Sequence, residues 1–129
     1  MEYMLLIYMD ESEAAGATPE QIESHADAFG AYVRELMDRG VIRGGAPLQP
    51  QAVATTVKVR DGKTLTTDGP FLETKEALAG FYLVEAADLD EAIELASKIP
   101  AAHVGSIEVR PVWQEMVEMV GKRLGQDHP

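Results

Sequence analysis

Apolar residues recur along the chain in two rhythms, alternate positions in some stretches and every third or fourth in others, and each change of rhythm marks an element. Tyr3 to Tyr8 is a continuous apolar run of strand length, the pattern of a strand buried on both faces. Thr18-Pro19-Glu20-Gln21 then opens a helix, with Thr18 as N-cap, Pro19 in the first turn and Gln21 placed for a capping box. Ile22, Ala26, Phe29, Val33, Leu36 and Met37 follow at helical spacing to about Arg39, and His25 and Tyr32 lie on the edge of that stripe. Gly40 is placed to end the helix. Val41 to Leu48 begins as a strand and turns irregular at Gly44 and Gly45, where backbone can approach another group closely.

Ala52 to Val59 alternates, Asp61-Gly62 supplies the dipeptide favoured in a type I′ hairpin, and Thr64 to Asp68 is the returning strand. Pairing Arg60 with Lys63 sets Val57 opposite Thr66 and Thr55 opposite Asp68, so Asp68 shares a face with the valines. A carboxylate at the end of a buried apolar face needs a partner. Gly80 to Ala86 is the next strand. Asp88 then caps a second helix with Leu89, Ala92, Ile93, Ala96 and Ile99 predicted inward and Glu94 paired with Lys98 outside, until Pro100 stops it. Ser106 to Val112 alternates as a last strand. Trp113 to Leu124 reads as a short helix or an extended arm, and Gly125 to Pro129 as a frayed end.

The order is β-α-β-hairpin-β-α-β, an α+β pattern that predicts a ferredoxin-like (split βαβ) subunit, with an antiparallel sheet and two helices on one face. Residues 1–113 form the domain and 114–129 a C-terminal extension. Since the central strands are apolar on both sides, the face without helices needs a cover. A homodimer, closing two sheets into a dimeric α/β barrel, provides one.

Composition narrows the chemistry. A chain of 129 residues fits one domain. Cysteine is absent, which excludes a disulfide framework, a thiolate nucleophile, an Fe–S cluster and Cys-bound zinc, and points to the cytoplasm. The N-terminal apolar run lacks a basic flank and reads as a strand rather than a signal, and no run is long enough to span a membrane. Twenty-two acidic residues against eleven basic ones give a charge of −11, which argues against direct nucleic-acid binding. His25, His103 and His128 fall in no metal-binding spacing, and no phosphate loop or dinucleotide fingerprint is present, so neither metal nor cofactor is expected.

Four motifs occur in order: Asp68-Gly69-Pro70-Phe71, Glu73-Thr74-Lys75-Glu76, Gly80-Phe81-Tyr82-Leu83-Val84, and Gly105 to Val112. On these the chain resembles the YCII-related family, in its DGPF-domain group, from Tyr3 to Trp113. The resemblance implies a dimeric α+β barrel of ferredoxin-like subunits. It also implies two roles: acid–base chemistry by a histidine and an aspartate in a cleft, proposed for the wider group, and a link between DGPF proteins and sigma factors. The wider group's helix histidine falls at Phe29 here, one turn beyond His25, so the pair is not carried over as such.

The residues themselves offer Asp68 as a general acid or base, or alternatively as a cap accepting turn N–H groups. His25 is the second catalytic candidate. Lys75, between Glu73 and Glu76, suits an anionic group, as does Arg43 beside the two glycines. Phe71, Tyr82 and Tyr32 could line an apolar pocket. The leading expectation is a small-molecule site in a cleft bordered by the Asp68 turn, Glu73 to Glu76, Arg43 and the inner edge of the first helix. The competing one is a regulatory module that binds a protein partner through its acidic surface or dimer edge.

Overall fold

The fold is that of a computed structural model describing residues 1–125; part of the predicted frayed end, residues 126–129, lies outside the described residues. Strand β1 (Glu2–Asp10) leads into a four-residue helix α1 (Glu11–Ala14), whose N-cap Asp10 accepts hydrogen bonds from Ser12. Helix α2 (Pro19–Arg39) starts at the capping box read from the sequence: the Gln21 N–H donates to Thr18 Oγ1 at 3.2 Å, and the Thr18 N–H donates to Gln21 Oε1 at 2.8 Å. It ends at Gly40 in the left-handed conformation. Then come β2 (Ile42–Pro47), a 3₁₀ turn at Gln51–Val53, the hairpin β3 (Thr55–Arg60) and β4 (Lys63–Asp68), and β5 (Glu76–Glu85). Helix α3 (Leu89–Ser97), β6 (Ser106–Pro111) and helix α4 (Gln114–Arg123) complete the described chain.

Four strands form one sheet in the order β2-β5-β1-β6, each antiparallel to its neighbours. That order, with helix α2 inserted after β1 and α3 after β5, is consistent with a ferredoxin-like α+β fold. The hairpin, between β2 and β5 in the chain, forms a separate two-stranded sheet. Tyr3, Leu5 and Ile7 of β1 and Val84 of β5 point to one face, where they pack with Tyr32 and Leu36 of α2 and with Ala92, Leu95 and Ala96 of α3. Alternation along the strands sends Met4, Leu6, Tyr8, Phe81 and Leu83 to the opposite face, where they are half-buried and outside that cluster.

The helical faces differ from the expected ones. In α3, Leu95 is fully buried while Leu89 and Ile93 are each half-exposed, because the face turned to the sheet runs through Ala92, Leu95, Ala96 and on to Ile99. In α2, Tyr32 sits in the core rather than at its edge, its hydroxyl donating to the Leu95 carbonyl at 2.8 Å. Ile22 and Met37 are exposed. The buried residues of α2, Tyr32 and Leu36, both lie in its second half, where it packs on β1 and β5. Its first turns are exposed.

The hairpin register is the one the sequence predicts: Arg60 opposite Lys63, Val57 opposite Thr66, Thr55 opposite Asp68. Asp61 and Gly62 both take positive φ, at 52° and 73°. A type I′ turn requires this of both central residues. The valine face is not buried, however. Val57 and Val59 are both 60% exposed, since no helix crosses that side of the ribbon.

Candidate functional site

Between α2 and the β2–β5 edge of the sheet lies an open cavity of about 980 Å³, on the helix-bearing side. Ile7 and Met9 form part of its floor, Phe29, Val33 and Met37 of α2 one wall, and Ile42 and Tyr82 the other. Two features of the backbone shape it. In β2, Ile42 pairs with Val84 and Gly44 with Leu83, so Arg43 is an extra, unpaired residue in a β-bulge, a device that re-aims a side chain. Between β1 and β5 the register shifts again at Ile7/Tyr8, beside the same cavity.

Gly45 fixes the position of Tyr82. A Cβ there would lie 2.7 Å from the Phe81 carbonyl oxygen and 2.7 Å from Tyr82 Cδ1. Only glycine, lacking that atom, lets the ring pass over the strand. The Tyr82 ring then meets Tyr32 with centroids 5.3 Å apart and planes tilted by 56°. This is within the range of favourable aromatic pairs. Burial pushes the Tyr82 phenol above its usual pKa, and burial does the same to Tyr32. Both rings therefore stay neutral and can serve as hydrogen-bond donors.

Among the described residues, the ionisable groups along the cavity besides Tyr82 are Arg34 and Arg43. Arg43 turns its Nη1 back on the backbone, donating to the Gly40 carbonyl at 2.8 Å and the Ile42 carbonyl at 3.2 Å. Of the residues proposed from the sequence, the structure brings Arg43 and Tyr82 together here, with Phe29 opposite. Arg34, Gly30 and Met9 were missed. The signal for the first two was available, since both lie on the α2 stripe that carries Phe29, Val33 and Met37.

The remaining candidates lie elsewhere. His25 is exposed on α2 and lines neither this cavity nor the smaller one beside the DGPF turn. Asp68 is exposed at the end of β4, and its carboxylate has no hydrogen-bond or ion-pair partner among the described residues. The expected turn cap is thus replaced by other contacts: the Gly69 N–H donates to the Ala54 carbonyl at 2.7 Å, and the Thr56 side-chain hydroxyl donates to the Gly69 carbonyl at 2.9 Å. The motif closes the base of the hairpin. Phe71 is 70% exposed, with the Lys58 ammonium 5.0 Å from its ring centroid. That is a cation–π contact at the surface.

The segment after it is tied down by structural contacts. Gln51 Nε2 donates to the Thr74 carbonyl at 2.9 Å, and the Gln51 N–H donates to Glu11 Oε2 at 2.8 Å. Lys75 is 86% exposed and stands 3.9 Å from Asp10. Hydrogen bonds from Ser12 hold the Asp10 carboxyl below its ordinary range. Glu76 belongs to β5 and accepts from Ser106 Oγ at 3.0 Å, whereas Glu73 is exposed. Pro70 and Leu72 line a second, smaller cavity of about 530 Å³ with Tyr8, Leu48, Val53 and Leu78. The single cleft expected from the sequence is therefore two separate hollows, with Arg43 at one and the DGPF turn at the other.

Among the described residues no group of three or more His, Asp or Glu side chains is arranged to hold a metal ion, and no helix is long and apolar enough to cross a membrane. The profile of the YCII-related domain matches residues 1–116. The chain is also similar to an uncharacterised protein of Rhizobium meliloti (strain 1021), 40% identical over 114 residues that cover 87% of this chain and 92% of the relative. The chain belongs to the YCII-related family.

Proposed function

We propose that this YCII-related protein binds a small molecule in the cytoplasm, and that the ligand enters the cavity between α2 and β2–β5 rather than the DGPF turn. The observation that carries this reading is the cavity itself. Its volume is about 980 Å³, and its walls are apolar with few polar groups. Sites for metabolite-sized ligands have this character. Binding is favoured over acid–base catalysis because, among the described residues, no carboxylate or imidazole lines this cavity, and a tyrosine held neutral is a poor base. Met4, Leu6, Phe81 and Leu83 on the opposite face of the sheet support a homodimer that covers them.

A thermal-shift screen of metabolites tests the site. Stabilising compounds should lose their effect in Gly30→Leu, which extends a side chain into the cavity from a point on α2 where an added Cβ meets nothing within 4 Å. Stabilisation that survives Gly30→Leu but not a change at Asp68 would return the site to the DGPF turn. Light scattering at micromolar concentration should give twice the monomer mass.

The hairpin favours a second reading, a regulatory module. Val57 and Val59 expose apolar surface on one face of a ribbon outside the main sheet, and a protein partner would cover it. If Val57→Lys with Val59→Lys abolishes the cellular role while ligand binding persists, this reading replaces the first.

A further inference from the structure

We propose that the ligand of the α2–β2–β5 cavity is an apolar carboxylate, its body against Met9, Phe29, Val33 and Met37 and its carboxylate between Arg34 and Arg43. The inference deepens the small-molecule reading and rests on the same cavity.

Charge carries the argument. The chain has twice as many acidic as basic residues, 22 against 11, yet among the described residues the cavity lining contains two arginines and no acidic side chain. Elsewhere four basic groups find carboxylates: Arg39 meets Glu94 at 2.9 Å, Lys98 meets Glu35 at 3.2 Å, Lys75 stands 3.9 Å from Asp10, and Arg110 pairs with Glu108. The exposed Lys58, Arg60, Lys63, Lys122 and Arg123 have no ion-pair partner among the described residues and line neither cavity. Neither Arg34 nor Arg43 has an ion-pair partner among the described residues. An anion from outside would complete them.

The geometry agrees. Arg43 is presented by the bulge, and its two backbone acceptors engage only Nη1, so Nε and Nη2 remain available to a second planar group. Guanidinium forks match carboxylates in a bidentate manner, and among the described residues no lysine lines the cavity. A multiply charged head such as phosphate would incur a larger desolvation cost against these apolar walls. Room for the body comes from Gly30, which interrupts the α2 stripe where a larger side chain would fill the space, at a cost to the helix.

The test is isothermal titration of the full chain with 2-naphthoate and octanoate, each beside its neutral amide. The carboxylates should bind about tenfold or more tightly than the amides, a preference of the size expected for charge-assisted hydrogen bonds. Arg34→Ala with Arg43→Ala should remove that preference and leave amide binding in place; both side chains are on exposed residues, and circular dichroism checks the fold. Added salt should weaken only the carboxylates. Equal affinity for acid and amide, or a preference that survives the double substitution, overturns the anion assignment while leaving the cavity reading intact. Displacement of naphthoate by millimolar inorganic phosphate overturns the choice of carboxylate. If neither acid nor amide binds, or binding persists in Gly30→Leu, the cavity is not the site and both readings fall.

Discussion

Leu5 of β1 and Val57 of β3 both occupy apolar faces of antiparallel strands, yet Leu5 is fully buried and Val57 is 60% exposed. The difference is in what lies over each sheet. Helices α2 and α3 return across one face of the four-stranded sheet, as right-handed β-α-β connections require. The hairpin strands are joined by the two-residue turn Asp61-Gly62, which brings no helix with it. Alternation therefore identifies a strand but says nothing of its cover. The consequence reaches Asp68: its face was read correctly, and its burial was not.

Truncating the two side chains gives the sharpest contrast. Leu5→Ala should cost about 2–5 kcal/mol, the loss expected where a core cannot collapse around the gap. Val57→Ala should change stability by about 0.5 kcal/mol or less, as surface substitutions do. Urea unfolding of both variants is the measurement. A cost at Val57 approaching that at Leu5 would break the comparison and mean that the ribbon is covered in solution.

Glycine substitutions repeat the contrast through the backbone. Gly45→Ala puts a methyl 2.7 Å from the Phe81 carbonyl oxygen and 2.7 Å from the Tyr82 ring, and a carbonyl held in a sheet cannot yield cheaply. About 1–3 kcal/mol of destabilisation should follow, with a changed near-ultraviolet circular dichroism signal from the displaced tyrosine. Gly62→Ala, at the hairpin tip, meets nothing within 4 Å. It carries only the left-handed backbone penalty, about 1–2 kcal/mol. Its near-ultraviolet spectrum should be unchanged.

Tyr32 tests the tie between the two covering helices. Tyr32→Phe removes the hydroxyl that donates to Leu95, but that carbonyl still accepts from the Lys98 N–H at 3.3 Å. The loss should therefore be about 1 kcal/mol. The pH dependence has a definite sign. Burial raises the folded-state pKa above the unfolded value of 10.0, so the contribution is complete below pH 10.0 and declines as pH rises beyond it. Unfolding at pH 8 and pH 11 should show a steeper alkaline loss in the parent than in Tyr32→Phe. Equal slopes would mean that Tyr32 is not the group responsible.

The legible parts of the fold were those set by local chemistry. The Thr18–Gln21 capping box, the Gly40 stop, the Asp61-Gly62 turn and the hairpin register each follow from a few adjacent residues, and each is present as read. Helix faces were less legible, because which turns of α2 are buried depends on which part of it packs on β1, β5 and α3. The cavity was least legible. It arises from the gap between α2 and β2 and from two bulges, none of which alternation reports, so Arg43 and Tyr82 were grouped with a turn that lines a different hollow.

The smallest effect has the opposite sign. Gly30 lies inside α2, away from either cap, and a Cβ there meets nothing within 4 Å. Alanine should therefore gain the helix-propensity difference, about 0.5–1 kcal/mol, without a steric cost. That makes the glycine a residue the fold does not need, at a point where α2 faces the cavity. If Gly30→Ala raises the unfolding midpoint in urea yet weakens ligand binding, the glycine sacrifices helix stability for room over the β2–β5 edge. A loss of stability instead would show that another group already occupies this gap. The sheet would then be covered there as fully as it is over Leu5.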